Sequence, residues 1–531
     1  MREALKKQIE SGQTSLGIEF GSTRIKAVLV DDNNQVLAQG SSQWENRFEN
    51  QIWTYSLEDI HDGMQACYRD LKENVEKEYG VTLKKIGAMG FSAMMHGYMV
   101  FDKEGHLLVP FRTWRNTMTE KASAILAEKF NHPIPQRWSI AHLYQAILNN
   151  EDHVDQIDYM VTLDGYIHWK LTGERVLGIG QASGMFPIND ETRDFDACMM
   201  DTFTELIQDK GYSWKIQDIM PKVLSAGENA GYLTKEGALF LDPSGDLEAG
   251  IPLCPPEGDA GTGMVATNSV KKGTGNVSAG TSVFAMIVLE RPLSRVYAEL
   301  DMVTTPDGEP VAMVHCNNCT SVVNSWMSVF KEVLQSFNVN VTDGDLFTAM
   351  FNKALEGDAD GGHLMVYPYL SGEHITGIES GCSMFMHAPD ATFNLANFMR
   401  SQLYASISTL RMGMDFLSEN ENMTIEHLVG HGGFFKTPGV GQKIMADMLG
   451  IPVAVMENAG EGGAWGMALL ASYMRNGGKL TLPQFLSEHV FGQTNDAKIA
   501  PDADGQMGAN IYIENFKKGL ATEKVGASLL S

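Results

Sequence analysis

Five segments of the chain carry residue types able to move a phosphoryl group. The first is Gly17-Ile18-Glu19-Phe20-Gly21-Ser22-Thr23-Arg24-Ile25-Lys26. A carboxylate at a strand end, beside a turn rich in N–H donors, holds Mg²⁺ through water, while the turn and Lys26 face phosphate oxygens. In Pro256-Glu257-Gly258-Asp259-Ala260-Gly261-Thr262-Gly263, small residues bracket Asp259. A hydroxyl can approach such a carboxylate closely and give up its proton as it attacks phosphorus. Gly280-Thr281-Ser282 forms a second hydroxyl-bearing turn. Leu428-Val429-Gly430-His431-Gly432-Gly433-Phe434 runs from apolar residues into a glycine-rich turn and a helical segment over 436–450. That arrangement sets backbone N–H groups against a nucleotide. It lacks the G-x-G-x-x-G and Walker A spacings, so neither a Rossmann site nor a P-loop is supported. Met94-Met95-His96-Gly97-Tyr98 follows the apolar run Ile86 to Phe91 and puts His96 at a strand end, where ligands of α/β folds bind. Taken singly, these segments also read as a plain hairpin, an Asp-Gly turn with a helix N-cap, a strand–helix turn and a structural histidine.

The elements around them follow a repeated plan. Ser15 to Phe20 and Ile25 to Val30 are apolar runs flanking the Gly21-Ser22-Thr23 turn, and Gln35 to Gln39 reads as a third strand. Far downstream, Gly275 to Ala279 and Val283 to Leu289 flank Gly280-Thr281-Ser282 in the same way. Two such hairpins suggest a duplicated α/β architecture with a boundary near Ala266 to Gly273. Helical spacing predicts a helix over Leu57 to Lys77, a core helix over Asn394 to Leu417, and a shorter one over Gln442 to Leu449.

The 531 residues exceed one ordinary core, so at least two domains are expected. A net charge of -26 repels phosphate backbones and anionic lipid, which excludes nucleic acid and membrane surfaces as partners. No run of about 18 apolar residues occurs, and the charged stretch Met1 to Glu10 lacks a signal h-region, so a cytoplasmic location is expected. The six cysteines are too sparse for a disulfide framework. Cys316 and Cys319 form one C-x-x-C beside His315, but no second pair completes a zinc site; they read as two buried thiols on a helix.

The order of the segments resembles the FGGY carbohydrate kinase family, specifically its xylulose-kinase-like members. The resemblance extends from about Ser15 to Tyr473, with a weaker echo over Pro501 to Leu520. Asp164 to Glu174, Ala182-Ser183-Gly184, Tyr367 to Glu373 and Gly463 to Ala471 support it. It implies an α/β fold of two ribonuclease-H-like (actin-like ATPase) domains around a central cleft. Residues 13–268 would form the sugar-binding domain and 269–500 the nucleotide-binding domain, with 501–531 a C-terminal tail packing on them.

The resemblance also implies roles. Asp259 matches the catalytic base, and Glu19 with Asp259 the carboxylates associated with Mg²⁺. Gly21, Ser22, Thr23 and Lys26 match the first phosphate loop, and Gly280, Thr281 and Ser282 the second. Gly432 and Gly433 match the adenosine-side turn of ATP, with Lys436 and Thr437 close by. Met95, His96, Gly97, Trp114, Asn116 and Asp259 border the sugar. Departures from the family pattern are Glu19 and Asn116 in place of Asp, His374 in place of Arg, and Gln181 in place of Asp.

The expected activity is transfer of the ATP γ-phosphoryl group to a small sugar, with a pentulose such as xylulose or ribulose as first choice and a homodimer as the assembly. Two alternatives come with it. Arg112 and Arg115 flank Trp114 and would suit an aldonic acid of the gluconate type, against which both read as solvated rim charges. Glu19 and Asn116 would suit a nucleotide-gated regulatory protein with little phosphotransfer. A water-using actin-like ATPase is disfavoured by the Asp259 loop.

Overall fold

The computed structural model describes residues 2–456, 462–477, 479–492 and 497–530. The chain divides into two units. One comprises Met1–Val270, Met302–Val311 and Gly460–Thr494, the other Lys271–Asp301, Ala312–Ala459 and Asn495–Ser531. Among the described residues no helix is long and apolar enough to cross a membrane.

In the first unit β1 (Ser15–Phe20), β2 (Arg24–Val30) and β3 (Val36–Gln43) form an antiparallel meander. Leu16, Ile18, Phe20, Ile25, Ala27 and Leu29 are buried in its core. Each such large apolar side chain contributes about 1.5–3 kcal/mol on burial. Helix α1 (Leu57–Tyr79) starts where the Ser56 hydroxyl accepts from Asp59 N–H, and ends at Gly80 with φ 67°. It buries Ile60, Met64, Cys67, Leu71 and Val75 at helical spacing. β4 (Ala88–Ala93) pairs in parallel with β1, and α2 (Leu163–Thr172) follows later in the chain. The two-residue β5 (Glu257–Gly258) pairs in parallel with β4 and runs directly into α3 (Asp259–Ala266). The carboxyl ends of β1, β4 and β5 therefore lie side by side.

The second unit carries the second hairpin, β6 (Thr274–Ala279) with β7 (Val283–Val288). With β8 (Pro310–Cys316), β9 (His427–His431) and β10 (Val453–Val455), they run in the order β8-β7-β6-β9-β10 within a six-stranded sheet. β9 is parallel to β6, pairing Ser278 with His431. Helices α4 (Ser321–Ser336), α5 (Leu395–Asp415) and α6 (Val440–Leu449) belong here. The helix after the glycine-rich turn begins at Val440 rather than at residue 436: a short 3₁₀ turn, Gly433–Phe435, comes first, and the left-handed Gly439 at φ 78° interrupts the backbone just before the helix.

Two placements differ from the sequence expectation. Helix α7 (Gly462–Arg475), assigned by chain order to the second domain, packs in the first unit. A Cβ on Gly17 of β1 would strike the backbone of Ala464 and Ala468, and one on Gly466 would strike the Thr262 carbonyl. Glycine on both sides lets the backbones touch, and nothing local in the sequence says which strand α7 meets. The segment 501–531 is dominated by α8 (Ala503–Leu530), which joins the second unit; Tyr367 donates to the Phe516 carbonyl at 3.0 Å.

Candidate active site

In the first unit three strand ends bring the predicted residues to one edge. Glu19 lies opposite Lys26 across the hairpin and opposite Ser92 of β4. Ser92 in turn lies opposite Glu257, two residues before Asp259. Asp259 is the first residue of α3, and its Oδ1 accepts the Met95 N–H at 3.1 Å. Burial pushes the Asp259 carboxyl up to about 6, against the N–H groups of Met95, Ala260 and its own residue. Glu19 is pushed up to about 7, first by burial and then by the neighbouring charge of Asp259; Lys26 and the N–H groups of Ala464 and Gly463 oppose this. The carboxylate of Glu19 therefore sits against the first turn of α7, where a Cβ on Gly463 would collide with Oε1. Chain order kept Gly463 out of the predicted site, and its spacing carries no signal of this contact.

The first turn is held from outside. Gly21 N–H donates to the Arg24 carbonyl at 3.0 Å and closes it. Its three carbonyls all accept from aromatic residues downstream. Trp44 donates its indole N–H to Gly21 (2.6 Å) and its backbone N–H to Thr23 (3.2 Å), and the Tyr55 hydroxyl donates to Ser22 (2.6 Å). In a trans peptide the C=O and the next N–H point opposite ways. Tying back these carbonyls directs the N–H groups of Ser22, Thr23 and Arg24 away from Trp44 and Tyr55, an arrangement that binds anions.

At the end of β4, Met95 and His96 are buried. His96 holds φ 68° and Gly97 φ 104°, so the strand ends in a left-handed turn that costs a non-glycine residue about 1–3 kcal/mol. His96 Nδ1 lies 3.0 Å from the Gly184 carbonyl, so in the neutral ring Nδ1 donates and Nε2 is an acceptor. A Cβ on Gly184 would meet that ring, which accounts for the small-residue patch after Gln181.

Gln181 itself is buried, donating Nε2–H to Asp164 (2.6 Å) and N–H to Glu257 (2.9 Å). Burial pushes Asp164 up to about 7 and Glu257 up to about 8. A third carboxylate at residue 181 would add like charge to this buried pair, which is a physical reason for the amide.

Two expectations change here. Asn116, expected to touch sugar, is buried and bonded to protein on both ends of its amide. It accepts from Trp53 N–H (2.9 Å) and donates to the Trp53 and Thr113 carbonyls (2.8 and 2.9 Å). Arg112 is not a solvated rim charge but is 5% exposed and paired with Glu151. Burial opposes ionisation of Glu151, yet the Arg112 hydrogen bond and charge outweigh it and hold that carboxyl below its usual range. Arg115 is exposed over the Trp53 ring at 3.9 Å, and Trp114 is 39% exposed.

The second unit gathers its own predicted residues. Because β6 and β9 are parallel neighbours, the Gly280-Thr281-Ser282 turn and the Gly432-Gly433 turn leave the same sheet edge. Gly432 holds φ 101°, and a Cβ there would strike the Ala279 carbonyl, while one on Gly433 would meet no protein atom. Lys436 is exposed and Thr437 buried. Burial holds His431 below its usual range. Cys316 and Cys319 are buried as expected, but Cys316 ends β8 and Cys319 lies in the loop before α4, not on a helix.

Comparison with known proteins matches both halves of this description. The N-terminal domain model of the FGGY family of carbohydrate kinases matches residues 14–265, and the C-terminal domain model matches 275–475. The xylulose kinase of Haemophilus influenzae is 20% identical over 504 residues, covering 92% of this chain and 95% of its own. The gluconokinase of Bacillus subtilis is 21% identical, covering 86% and 87%. Among solved structures, gluconate kinase from Lactobacillus acidophilus superposes with a TM-score of 0.79 at 17% identity, covering 97% of this chain and 99% of that one. Xylulose kinase from Rhodospirillum rubrum superposes with a TM-score of 0.78 at 18% identity, covering 96% and 98%. The fold is that of the actin-like ATPases.

Proposed function

The chain belongs to the FGGY family of carbohydrate kinases and is a phosphotransferase with an alcohol group as acceptor; on that premise we propose that it transfers the γ-phosphoryl group of ATP to a hydroxyl of a neutral pentulose of the xylulose or ribulose type. The observation that carries this reading is Asp259 at the start of α3, bonded to Met95 N–H at the strand end that presents His96. Asp259 takes the proton of the attacking hydroxyl and aligns its oxygen with the γ-phosphorus. His96 Nε2, as acceptor, orients a second hydroxyl. The N–H groups of Ser22 and Thr23, with Lys26, and those of Thr281 and Ser282 in the second turn receive phosphate oxygens. The Gly432-Gly433 turn takes the adenosine side, with Lys436 and Thr437 beside it.

Glu19 and Asp259 fit a divalent cation. Two carboxylates raised by burial, one of them also by the other's charge, would gain from a positive ion held beside them. No group of three metal-ligating side chains occurs among the described residues. The pair therefore suits Mg²⁺, which keeps most of its shell as water and nucleotide oxygens. When bound, the ion neutralises charge on the phosphates.

A neutral acceptor is favoured over an aldonic acid by the two arginines. Arg112 is neutralised by Glu151, and Arg115 is exposed on the Trp53 ring. The test is ADP release from Mg-ATP across pentuloses, hexuloses, polyols and aldonic acids, with a no-sugar control. A pentulose should raise turnover above all other acceptors. Turnover led by an aldonate would overturn the choice of a neutral substrate, and ATP binding without sugar-dependent turnover would favour a regulatory protein.

A further inference from the structure

The Cys316-Asn317-Asn318-Cys319-Thr320 segment has no part in the chemistry above, yet it lies against the second turn. Thr320 donates twice to the Gly280 carbonyl, through N–H at 3.0 Å and through its hydroxyl at 2.7 Å. Cys319 N–H donates to the Thr281 carbonyl at 3.0 Å. These carbonyls share their peptide planes with the N–H groups of Thr281 and Ser282. Fixing each C=O toward the 316–320 loop turns the following N–H the other way. Two successive N–H groups directed to one side make an anion-binding concavity.

The loop is itself clamped. Asn318 Oδ1 accepts from Leu370 N–H (2.9 Å) and Ser371 N–H (3.1 Å), and Nδ2 donates to the Ser371 carbonyl (3.2 Å). Glu373 Oε2 accepts from the N–H groups of Asn317 (2.9 Å) and Asn318 (3.3 Å). Glu373 and Asn318 are both buried, so this clamp is shielded from water and from exchange of partners. The two buried thiols flank Asn317 and Asn318 and anchor the loop on either side.

We propose that Thr320, held in place by Asn318 and Glu373, is a positioning residue that orients the Gly280–Ser282 turn and so sets the affinity for the nucleotide's phosphates. The proposal rests on the reading of that turn as a phosphate site. Thr320→Val keeps the shape and the backbone bond but removes the hydroxyl donor; Thr320→Ser keeps the donor. Calorimetric titration with Mg-ATP should give a Kd about tenfold weaker for Thr320→Val. The sugar KM should stay within about twofold, and Thr320→Ser should restore ATP affinity to within about twofold, since the same bond is remade. Thr281→Asp, at an exposed position, reports on the turn itself by placing a negative charge where phosphate should bind. If Thr281→Asp weakens ATP binding and Thr320→Val does not, the brace is refuted and the turn stands. If neither changes ATP affinity, the phosphate reading of the turn falls and the brace falls with it. A Thr320→Val loss that Thr320→Ser does not recover, or that raises the sugar KM equally, overturns the positioning role.

Discussion

The two hairpin turns have nearly the same residues but are held by different chemistry. Gly21-Ser22-Thr23 hangs from Trp44 and Tyr55, whose rings stack at 4.0 Å between centroids. Gly280-Thr281-Ser282 hangs from Cys319 and Thr320, behind which stand Asn318 and the buried Glu373. Three carbonyls of the first turn and those of Gly280 and Thr281 in the second are tied back, and the N–H groups that follow them face the other way. The common requirement is the orientation of the peptide planes, not the identity of the brace. The first brace is largely apolar and is stabilised by ring burial. The second depends on a polar network in a low dielectric, where losing one partner strands another.

The sharpest test of this division separates turnover from nucleotide binding. Asp259→Asn in the first unit should lower kcat by about 10²–10⁴-fold while leaving the Kd for ATP without Mg²⁺ within about twofold, measured by steady-state kinetics and calorimetry. A loss of ATP binding instead would place Asp259 in the nucleotide site. Next in size, Gly432→Ala should weaken ATP binding by tenfold or more. It puts a side chain at φ 101° against the Ala279 carbonyl, at roughly 1–3 kcal/mol. Gly433→Ala, whose Cβ would meet no protein atom, leaves the turn's backbone unstrained and should weaken ATP binding less than Gly432→Ala does. Equal effects from the pair would show that the turn is not held against β6.

A smaller effect is expected from the aromatic brace. Tyr55→Phe removes one bond to the first turn while both Trp44 bonds remain. The KM for ATP should rise by about two- to fivefold, less than for Thr320→Val in the second unit. An effect larger than that of Thr320→Val would reverse the ranking of the two braces.

The smallest effect is on stability. Asp164 has its carboxyl raised from 3.8 to about 7 by burial. Its stabilising contribution is fully present below about pH 4 and is lost as pH rises through 7. The full loss is on the order of 4 kcal/mol, about half of it above pH 5.5. Asp164→Asn should therefore lose less Tm than the parent between pH 5.5 and 8.5, by roughly a few degrees. Parallel Tm curves would mean that Asp164 stays ionised in the folded chain.

Much of the scaffold was legible from the residues. The meander matches the expected strands closely, with the third running to Gln43 rather than Gln39. α1 and α5 were legible from apolar residues at helical spacing, while their caps, Ser56 and Asn394, came only with the structure. The placement of Arg112 was not. Its pairing with Glu151 crosses 39 residues, and a local reading treats a charged side chain as solvated. Asn116 is placed beside the sugar by its match to the family pattern, which carries no sign that its amide bonds the Trp53 segment.

By itself the sequence determined the two hairpins, the glycine-bracketed carboxylate, the order of the motifs and hence the kinase family. These are local features: strand periodicity, turn chemistry and spacing along the chain. Only the tertiary structure decided that α7 returns to the first unit to cover Glu19, and that aromatic residues brace one turn while a polar loop braces the other. It also decided that Gln181 separates two buried carboxyl groups. Each of these depends on contacts between residues far apart in the chain, where backbone approach and desolvation, rather than local propensity, select the partner.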